Sequence, residues 1–277
     1  MQDRFPVERV AVPVETRAPT GATNAYVVGD SPALLVDPAG QTVELDTRVE
    51  NHDVGAIAVT HTHPDHVGAV ADYAAETGAE LLARRPDRFE AATGVEPDRR
   101  IAEGSEIDTG SGPVTVLDTP GHAVDHVAFE FDDPTESSGG TVLCGDLAVA
   151  AGSVVVGAPE GDLRAYLTSL RRLLARDPDR LLPGHGPAMV AEDGDDGPTP
   201  RESLERLIAH RLRRERTVLA AVRDGATDLD AVVDAAYEKD LSGVRDLARA
   251  TVRAHLEKLA VEGRVRWHPE TGRVGRR

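Results

Sequence analysis

The feature that most constrains this chain is a dense group of metal-binding residue types in the stretch AIAVTHTHPDHVGAV, residues 56–70. The chain has ten histidines, and three of them stand here, after an apolar, strand-like run. His61 and His63 are two residues apart, so on an extended strand end their side chains point to the same side. Asp65 and His66 follow on the turn into an alanine-rich helical run. Four ligand-type side chains can therefore converge on one strand-to-helix corner, and imidazole with carboxylate is a zinc-type ligand set.

Three further ligand-type residues follow strand-like runs later in the chain. His122 stands in LDTPGHAVDH, Asp146 in LCGDLAV and His185 in LLPGHGP. Each lies in or beside a glycine-containing turn at a strand end, where loops on a rigid scaffold position functional groups. Because one corner cannot complete two metal sites, these three residues are the candidates for the remaining ligands.

The order of predicted elements separates the chain into two parts. Short strand-like runs dominate up to residue 190, with helical periodicity at 65–77 and 162–176 and a hairpin turn predicted at 136–140. Strands that come in runs, with few helices between them, favour sheets covered by helices. Residues 191–200, AEDGDDGPTP, have the composition of an exposed linker. Three helices and a short hairpin follow over 201–277, which is the order of elements in a winged helix.

Composition bears on the compartment of the protein. The formal net charge is −17, and only two of the 31 basic residues are lysines. This balance predicts a salt-adapted, halophilic protein of the cytoplasm, and a GC-rich genome is the alternative explanation. The single cysteine, Cys144, excludes an internal disulfide. Early charges and the lack of an apolar stretch in MQDRFPVERV predict that there is no secretory signal. No apolar run approaches the ~20 residues of a membrane span, so no membrane partner is expected.

Charge is unevenly distributed along the chain. Residues 201–277 carry 17 basic and 13 acidic residues, whereas the preceding 200 residues are strongly acidic. Arg245, Arg249 and Arg253 are spaced by four within a predicted helix, as a nucleic-acid recognition helix would require. The alternative is ordinary packing of a helix that also carries acidic and apolar residues. Nucleic-acid binding through the C-terminal part is therefore one hypothesis.

The ligand-type residues occur in an order that resembles the metallo-β-lactamase superfamily. That signature is an aspartate ending an early strand, H-x-H-x-D-H, a histidine, an aspartate and a histidine. Every position is filled over about residues 5–190. The matching residues are Asp37, His61, His63, Asp65, His66, His122, Asp146 and His185.

The resemblance implies an α+β fold, a four-layer αββα sandwich with a dinuclear site at one edge. It predicts a catalytic domain over 1–190, a linker over 191–200 and a small helical, winged-helix-like domain over 201–277. Two divalent ions are expected, with zinc as the default, although iron or manganese occurs in the superfamily. The two ions would take these ligand sets: His61, His63 and His122 for the first, and Asp65, His66 and His185 for the second.

The remaining residues of the signature receive supporting roles from the same resemblance. Asp146 would bridge the two ions, and Asp37 would orient a ligand or loop. Two close cations lower the pKa of a shared water, so a metal-bridging hydroxide is the expected nucleophile. Asp65 could orient that hydroxide and is expected to be catalytic. His126, four residues after His122, is a second catalytic candidate for the leaving group, with a hydrogen-bonded core histidine as the alternative.

Several functions remain open within the superfamily. The chain resembles the β-lactamase-like protein 2 group, which implies a phosphodiesterase or endoribonuclease acting on single-stranded RNA. A glyoxalase II-like thioesterase of the hydroxyacylglutathione hydrolase type shares all seven ligands and is the alternative. A nucleic-acid-binding regulator with a metal-sensing domain is the third hypothesis. The expected partners are a small-molecule or RNA substrate, nucleic acid at the C-terminal domain, and a second copy of the chain in a homodimer.

Overall fold

Two six-stranded mixed sheets pack face to face to form the centre of the protein. The computed structural model describes residues 5–132, 139–191, 197–238 and 240–277. The strands of the first sheet, in spatial order, are β1 (Val7–Pro13), β2 (Ala22–Val28), β3 (Ala33–Val36), β4 (Val54–Ala58), β5 (Glu80–Ala83) and β6 (Arg99–Arg100). The second sheet has the order β12 (Met189–Val190), β11 (Arg180–Pro183), β10 (Thr141–Gly145), β9 (Val127–Phe131), β8 (Gly112–Asp118) and β7 (Glu106–Thr109).

Both faces of the central strands are buried, which explains their nearly continuous apolar sequence. In β2, Tyr26 and Val28 point into the core between the two sheets, where they join Phe129 of β9. Ala25 and Val27 of the same strand point to the opposite face and join a separate core beneath the helices. This alternation follows from the two-residue period of a strand. The sheets therefore form the two inner layers of the molecule.

Helices cover the outer face of each sheet. The outer helices are α1 (Val43–Asn51), α2 (Pro64–Val67), α3 (Val70–Thr77) and α4 (Pro86–Thr93) in the first half, and α5 (Leu163–Arg176) in the second. Leu45 of α1 and Tyr73 of α3 pack on the first sheet, whereas Leu167 and Leu170 of α5 pack on the second. The predicted four-layer αββα sandwich is confirmed.

One predicted helix is interrupted. The periodicity at 65–77 predicts a continuous helix, but the structure has α2 and α3 separated at Gly68 and Ala69. The amide of Ala69 donates to the carbonyl oxygen of Pro38 at 2.9 Å, outside the helical pattern. A Cβ at Gly68 would collide with the carbonyl oxygen of Ala39. A long-range backbone contact thus breaks a helix that local periodicity favours.

The C-terminal tail, residues 197–277 with Lys239 outside the described residues, has the predicted order of elements. These elements are α6 (Pro200–Arg223), α7 (Leu229–Ala236), α8 (Arg245–Val261), β13 (Val265–His268) and β14 (Arg273–Arg276). Val218, Val232 and Leu256 lie at the centre of a core that the tail builds for itself. The assignment of this unit as a winged helix stays a prediction. The hairpin turn at 136–140 and the linker at 191–200 fall largely outside the described residues.

The tail also packs firmly against the sandwich. Leu204 and Leu207 of α6 are buried in the same cluster as the inner face of α5. Arg206 donates to the carbonyl oxygen of Val149 at 2.6 Å, and the amide of Ala158 donates to that of Ala250 in α8 at 3.3 Å. The sequence predicts a boundary that few contacts cross, and the structure differs on that point. The domain limits themselves stay a prediction. Within the described ranges, no helix is long and apolar enough to cross a membrane.

Replacing Leu207 by alanine should destabilise the whole chain, because it leaves a cavity between the tail and the sandwich. We expect a loss of about 2–5 kcal/mol in the free energy of unfolding, measured by urea denaturation. The matched control is Val43→Ala, since Val43 is 83% exposed and its truncation should change stability by no more than ~0.5 kcal/mol. Similar midpoints for the two variants would show that the tail contributes little to the stability of the sandwich.

Candidate metal centre

The candidate site lies at one edge of the sandwich, where strands of both sheets end. The turn after β4 supplies the H-x-H-x-D-H residues, and the loops after β8, β10 and β11 supply the others. The ligand atoms form three overlapping groups, and within each group they lie no more than 4.8 Å apart. The structure therefore brings together all the residues predicted as ligands: His61, His63, Asp65, His66, His122, Asp146 and His185.

Three imidazoles form the first part of the site. His63 Nδ1 lies 2.9 Å from His61 Nε2 and 2.9 Å from His122 Nε2. The second part contains Asp65, His66 and His185, with Asp65 Oδ2 3.6 Å from His185 Nε2. Two of the three groups have the members that the resemblance implies for the two ions, and the third joins His61 and His66 with Asp146.

Asp146 lies between the two sets. Its Oδ2 is 3.5 Å from His122 Nε2, whereas its Oδ1 is 3.5 Å from His185 Nε2 and 3.7 Å from His66 Nε2. Space for this carboxylate depends on Gly184, because a Cβ there would lie 2.7 Å from Asp146 Oδ1. The position of Asp146 suits a carboxylate shared by two ions.

Hydrogen bonds at the far side of each ring fix which nitrogen faces the site. His122 Nδ1 donates to the carbonyl oxygen of Val155 at 2.7 Å, and His185 Nδ1 donates to that of Ala22 at 2.8 Å. A carbonyl oxygen can only accept, so the proton is on Nδ1 and the lone pair is on Nε2. Both rings therefore direct a lone pair into the site.

Asp37 fixes two more imidazoles from below. Its Oδ2 accepts from His66 Nδ1 at 2.9 Å and from the hydroxyl of Thr60 at 2.8 Å. Because the Thr60 hydroxyl donates to Asp37, its oxygen accepts from His61 Nδ1 at 3.0 Å. The backbone amide of Thr60 donates to the other oxygen of Asp37 at 2.6 Å. One buried carboxylate thus orients His61 and His66 together.

The arrangement fits divalent cations better than it fits a hydrogen-bond network. The rings of His61 and His122 both direct lone pairs towards His63 Nδ1, which can donate to only one of them. His66 Nε2 and Asp146 Oδ1 are buried and have no hydrogen-bond partner among the described residues. Buried polar atoms without partners are costly. Cations would satisfy all of these atoms at once.

The electrostatics of the site favour neutral imidazoles in its first part. Burial, reinforced by the neighbouring imidazoles, lowers the pKa of His61 well below its usual value. Burial and then His122 lower the pKa of His63 to about 4. Burial also acts to lower the pKa of His66, but Asp37 and the other carboxylates raise it to about 9. A cation must displace the proton of His66, so metal uptake is coupled to pH.

His126 lies behind the site and does not face the substrate side. Its Nε2 accepts from the backbone amide of Asp146 at 3.1 Å, so Nδ1 carries the proton and donates to the hydroxyl of Thr119 at 2.8 Å. Burial, then His122, lowers the pKa of His126 to about 3. This geometry does not suit the leaving-group role expected from the sequence. It suits the alternative of a hydrogen-bonded core histidine that positions Asp146.

Sequence reasoning missed several residues that support the site. Thr60 connects Asp37 to His61, and the hydroxyl of Thr16 donates to Asp65 Oδ2 at 2.5 Å. Thr60 directly precedes the H-x-H motif, and this position is the one sequence feature that could have identified it as a supporting residue. Thr16 lies in a loop 49 residues before Asp65, and no motif marks it.

A large cavity opens in front of the ligands. Its volume is about 1080 Å³, and His63, Asp65, His122, Asp146 and His185 lie in its wall. The rest of the wall is mainly apolar, and helix α8 of the tail forms part of it. Apolar side chains that line the cavity include Val14, Ala18, Val149, Val154, Leu247 and Ala250.

The tail also reaches the site through the backbone of residues 154–155. The guanidinium of Arg211 in α6 donates to the carbonyl oxygen of Val154. The next carbonyl, of Val155, accepts from His122 Nδ1. Arg211 and the predicted ligand His122 therefore bind the carbonyl oxygens of adjacent residues. This contact indicates that α6 supports the loop that holds His122 in place.

Comparison with known proteins agrees with this geometry. The sequence profile of the metallo-beta-lactamase superfamily matches residues 18–185. The chain belongs to this superfamily. A beta-lactamase-like protein 2 homolog of Drosophila melanogaster is 30% identical over 263 residues, which cover 88% of this chain and 84% of that protein. The resemblance to the β-lactamase-like protein 2 group is thus confirmed, and the chain is a metallo-hydrolase of the superfamily.

Other superfamily members share shorter stretches with the chain. A hydroxyacylglutathione hydrolase of Acidiphilium cryptum is 32% identical over 170 residues, covering 60% of this chain and 65% of that protein. The thioesterase pkgB of Emericella nidulans is 28% identical over 206 residues, covering 72% and 53%. In both cases the match falls short of two thirds of the relative's length.

Solved structures of superfamily members have the same fold. A metallo-beta-lactamase family protein of Thermus thermophilus superposes with a TM-score of 0.74 and 25% identity, and the match covers 98% of each chain. A second structure, of a protein in a di-iron-bound form, gives a TM-score of 0.50 with 31% identity, covering 66% of this chain and 94% of that one.

Asp37→Asn should weaken metal binding by about 10- to 100-fold, because an amide cannot accept from all three donors as the carboxylate does. Asparagine tolerates the left-handed backbone of residue 37, where φ is 52°, so the fold should persist. Competition with a chromophoric chelator measures the affinity. The exposed Asp72→Asn in α3 is the control and should bind metal as the parent does. Equal affinities in the two variants would contradict the role of Asp37.

Two divalent ions per chain are expected after metal loading. The expectation follows from the two ligand sets and from the position of Asp146 between them. Elemental analysis of the purified, reloaded protein gives the ratio directly. A ratio that stays at one ion or fewer would contradict the dinuclear assignment.

Proposed function

We propose that the chain is a metal-dependent hydrolase of thioesters that carry an apolar acyl group. The observation that carries the proposal is the mainly apolar cavity of about 1080 Å³ that opens onto the ligands. An acyl chain would bury its methylene groups there at about 0.8 kcal/mol each. Its carbonyl carbon would then lie beside His63, Asp65 and His122.

The charges around the cavity support a thioester better than RNA. Arg17 is the one arginine or lysine among the described residues of the wall, and it is paired with Asp246 at 3.1 Å. Glu15 adds negative charge to the same wall, whereas Glu160 is paired with Arg88 at 2.5 Å. A single-stranded nucleic acid is bound through a positively charged groove with stacking aromatic side chains. The phosphodiester hypothesis therefore has less support at this site.

The candidate recognition face of the tail is also largely neutralised. Arg245 is paired with Asp234 at 2.7 Å, and Arg249 is paired with Asp230. Arg253 is paired with Glu257 on its own helix at 2.8 Å. Arginines that already hold carboxylates are poor partners for phosphates. These contacts favour the packing interpretation of that face.

The names of similar proteins support the same choice. The thioesterase of Emericella nidulans matches 72% of the chain, and the hydroxyacylglutathione hydrolase of Acidiphilium cryptum matches 60% of it. Hydroxyacylglutathione is itself a thioester, so both names fall in the proposed reaction class. A small thioester needs no basic tail for binding, and in this proposal the tail contributes instead through α8, which forms part of the wall of the substrate cavity.

The chain's own residues account for substrate positioning and proton handling. Divalent ions held by the seven ligands would acidify a water and polarise the thioester carbonyl. Thr16 donates to Asp65 Oδ2, which leaves Asp65 Oδ1 to accept the proton of the attacking water. The apolar wall excludes other water from the acyl group. No tyrosine, lysine or cysteine that could protonate a leaving group lines the described part of the cavity. A thioester does not require such a general acid, because its leaving group is a thiolate and a thiol has a pKa near ~8.5.

A substrate panel tests the proposal on the metal-loaded protein. It compares acetyl and octanoyl thioesters of N-acetylcysteamine with S-lactoylglutathione and single-stranded RNA. We expect kcat/KM to rise from the acetyl to the octanoyl thioester, with RNA left intact. Cleavage of RNA with no thioester turnover would refute the proposal and restore the phosphodiester hypothesis.

Leu247→Gln should identify the acyl cavity within that panel. It places a polar group in the wall, so KM for the octanoyl thioester should rise about tenfold while the acetyl thioester is little affected. Val261→Gln lies on the same helix at a position 66% exposed and is the matched control. An equal effect of Leu247→Gln on both thioesters would argue against acyl binding beside α8.

A further inference from the structure

A second, smaller cavity opens between the tail and the sandwich, next to the one that faces the ligands. Its volume is about 260 Å³, and it is lined by α6, α8, the segment after α7 and residues 153–155. Its charged or titratable wall residues among those described are, apart from Tyr237, all basic types: His210, Arg211 and Arg214. Residues 153–155 and Leu247 line both cavities, so the two are neighbours.

The arginines of this cavity lack the carboxylate partners that such groups require. Arg211 is only 2% exposed and donates to the carbonyl oxygen of Val154, and its Nε has no partner among the described residues. Arg214 donates to the carbonyl oxygen of Ala236 and stacks on Tyr237, with its guanidinium carbon 3.9 Å from the ring centroid. No carboxylate of the described ranges lies within 4.0 Å of either guanidinium. A buried charge without a counter-charge is costly.

The nearest acidic residue of α6 is already committed elsewhere. Glu215 is paired with Lys258 at 2.6 Å and with Arg264 at 3.4 Å. The arginines at the start of α8 are likewise paired with aspartates of α7. In a chain with a net charge of −17, acidic partners are plentiful, yet the described wall of this cavity contains none. The guanidinium groups of Arg211 and Arg214 are therefore available to bind an anion from outside the chain.

Two histidines lie beside the arginines and add no positive charge: His210 lines the cavity, whereas His255 is buried and is not part of its wall. His255 is fully buried, and neither of its ring nitrogens has a hydrogen-bond partner among the described residues. Burial, together with Arg211 and Arg214, lowers its pKa to about 3. The same causes lower the pKa of His210 to about 4. Both rings are therefore neutral near pH 7, and the positive charge of the cavity is that of the guanidinium groups.

We infer that this second cavity binds a phosphate group. Guanidinium groups bind phosphate through charge-assisted hydrogen bonds, and the cavity is large enough for one phosphate with its first waters. The phosphate could belong to the leaving group of the substrate or be free inorganic phosphate. The first source rests on the proposed thioesterase function and would let one substrate span both cavities. The second source does not depend on that function.

Thermal unfolding with inorganic phosphate tests the site without any assay of activity. Phosphate that binds the folded chain raises its Tm by mass action. We expect Arg214→Gln to lose this rise, whereas Arg216→Gln, an exposed position on the same helix, should keep it. Both variants retain all seven predicted ligands, so any phosphate held by metal ions contributes equally to each. An equal rise in the parent and in folded Arg214→Gln would overturn the inference.

Thr251→Glu provides a second test in case Arg214→Gln folds poorly. Thr251 lines the cavity from α8, so the new carboxylate would supply an internal counter-charge to the arginines. The variant should unfold at a higher temperature than the parent in the absence of phosphate and respond less to added phosphate. A parent-like response to phosphate would count against the site.

Turnover of matched thioesters identifies the source of the phosphate. Octanoyl-CoA and octanoyl-pantetheine share the thioester and the pantetheine arm, whereas only the leaving group of octanoyl-CoA carries phosphates, together with an adenosine. If the substrate supplies the phosphate, the parent should prefer octanoyl-CoA in kcat/KM by about tenfold or more, and Arg214→Gln should lose that preference. A phosphate-dependent Tm without any preference assigns the cavity to free phosphate. Absence of thioester turnover refutes the proposed function but leaves the Tm result in force.

Discussion

The carboxylate of Asp37 is the contact on which the site depends. It is fully buried at the end of β3, and it accepts from His66, from the backbone of Thr60 and from the Thr60 hydroxyl. A buried carboxylate is tolerated only when it is well hydrogen-bonded, so its partners are held as firmly as it is. Since β3 and β4 are parallel neighbours, their ends meet, and sheet pairing is what places Asp37 under the histidine motif. The pairing of β3 with β4 therefore determines the relative positions of Asp37 and the histidines that it orients.

The tail is structurally tied to the chemistry although it supplies no ligand. Arg206 and Arg211 of α6 bind carbonyl oxygens between residues 149 and 154, and His122 binds the next carbonyl, of Val155. Helix α8 closes the cavity with Leu247 and Ala250. The segment after Asp146 is thus held from both sides. These contacts indicate that the tail stabilises the active site in addition to any role in binding substrate.

The ligands and the layers could be predicted because they depend on local patterns. Strand ends beside glycine mark His122, Asp146 and His185, and the period of α5 marks its buried face. The features that escaped prediction depend on contacts between distant residues. The helix breaks at Gly68 because the backbone of Ala39 approaches it closely. His126 accepts a hydrogen bond from the backbone amide of Asp146.

Because α8 forms part of the cavity wall, the residues that carry out the reaction and some of the residues that select the substrate lie in different parts of the sequence. The reacting groups are encoded before residue 186, whereas Leu247 and Ala250 are encoded some sixty codons later. Substitutions in α8 can therefore reshape what fits in front of the ligands without touching any of them. Related proteins with the same histidines and aspartates could diverge in substrate preference through this helix alone. Selectivity in this architecture can evolve while the reaction is conserved.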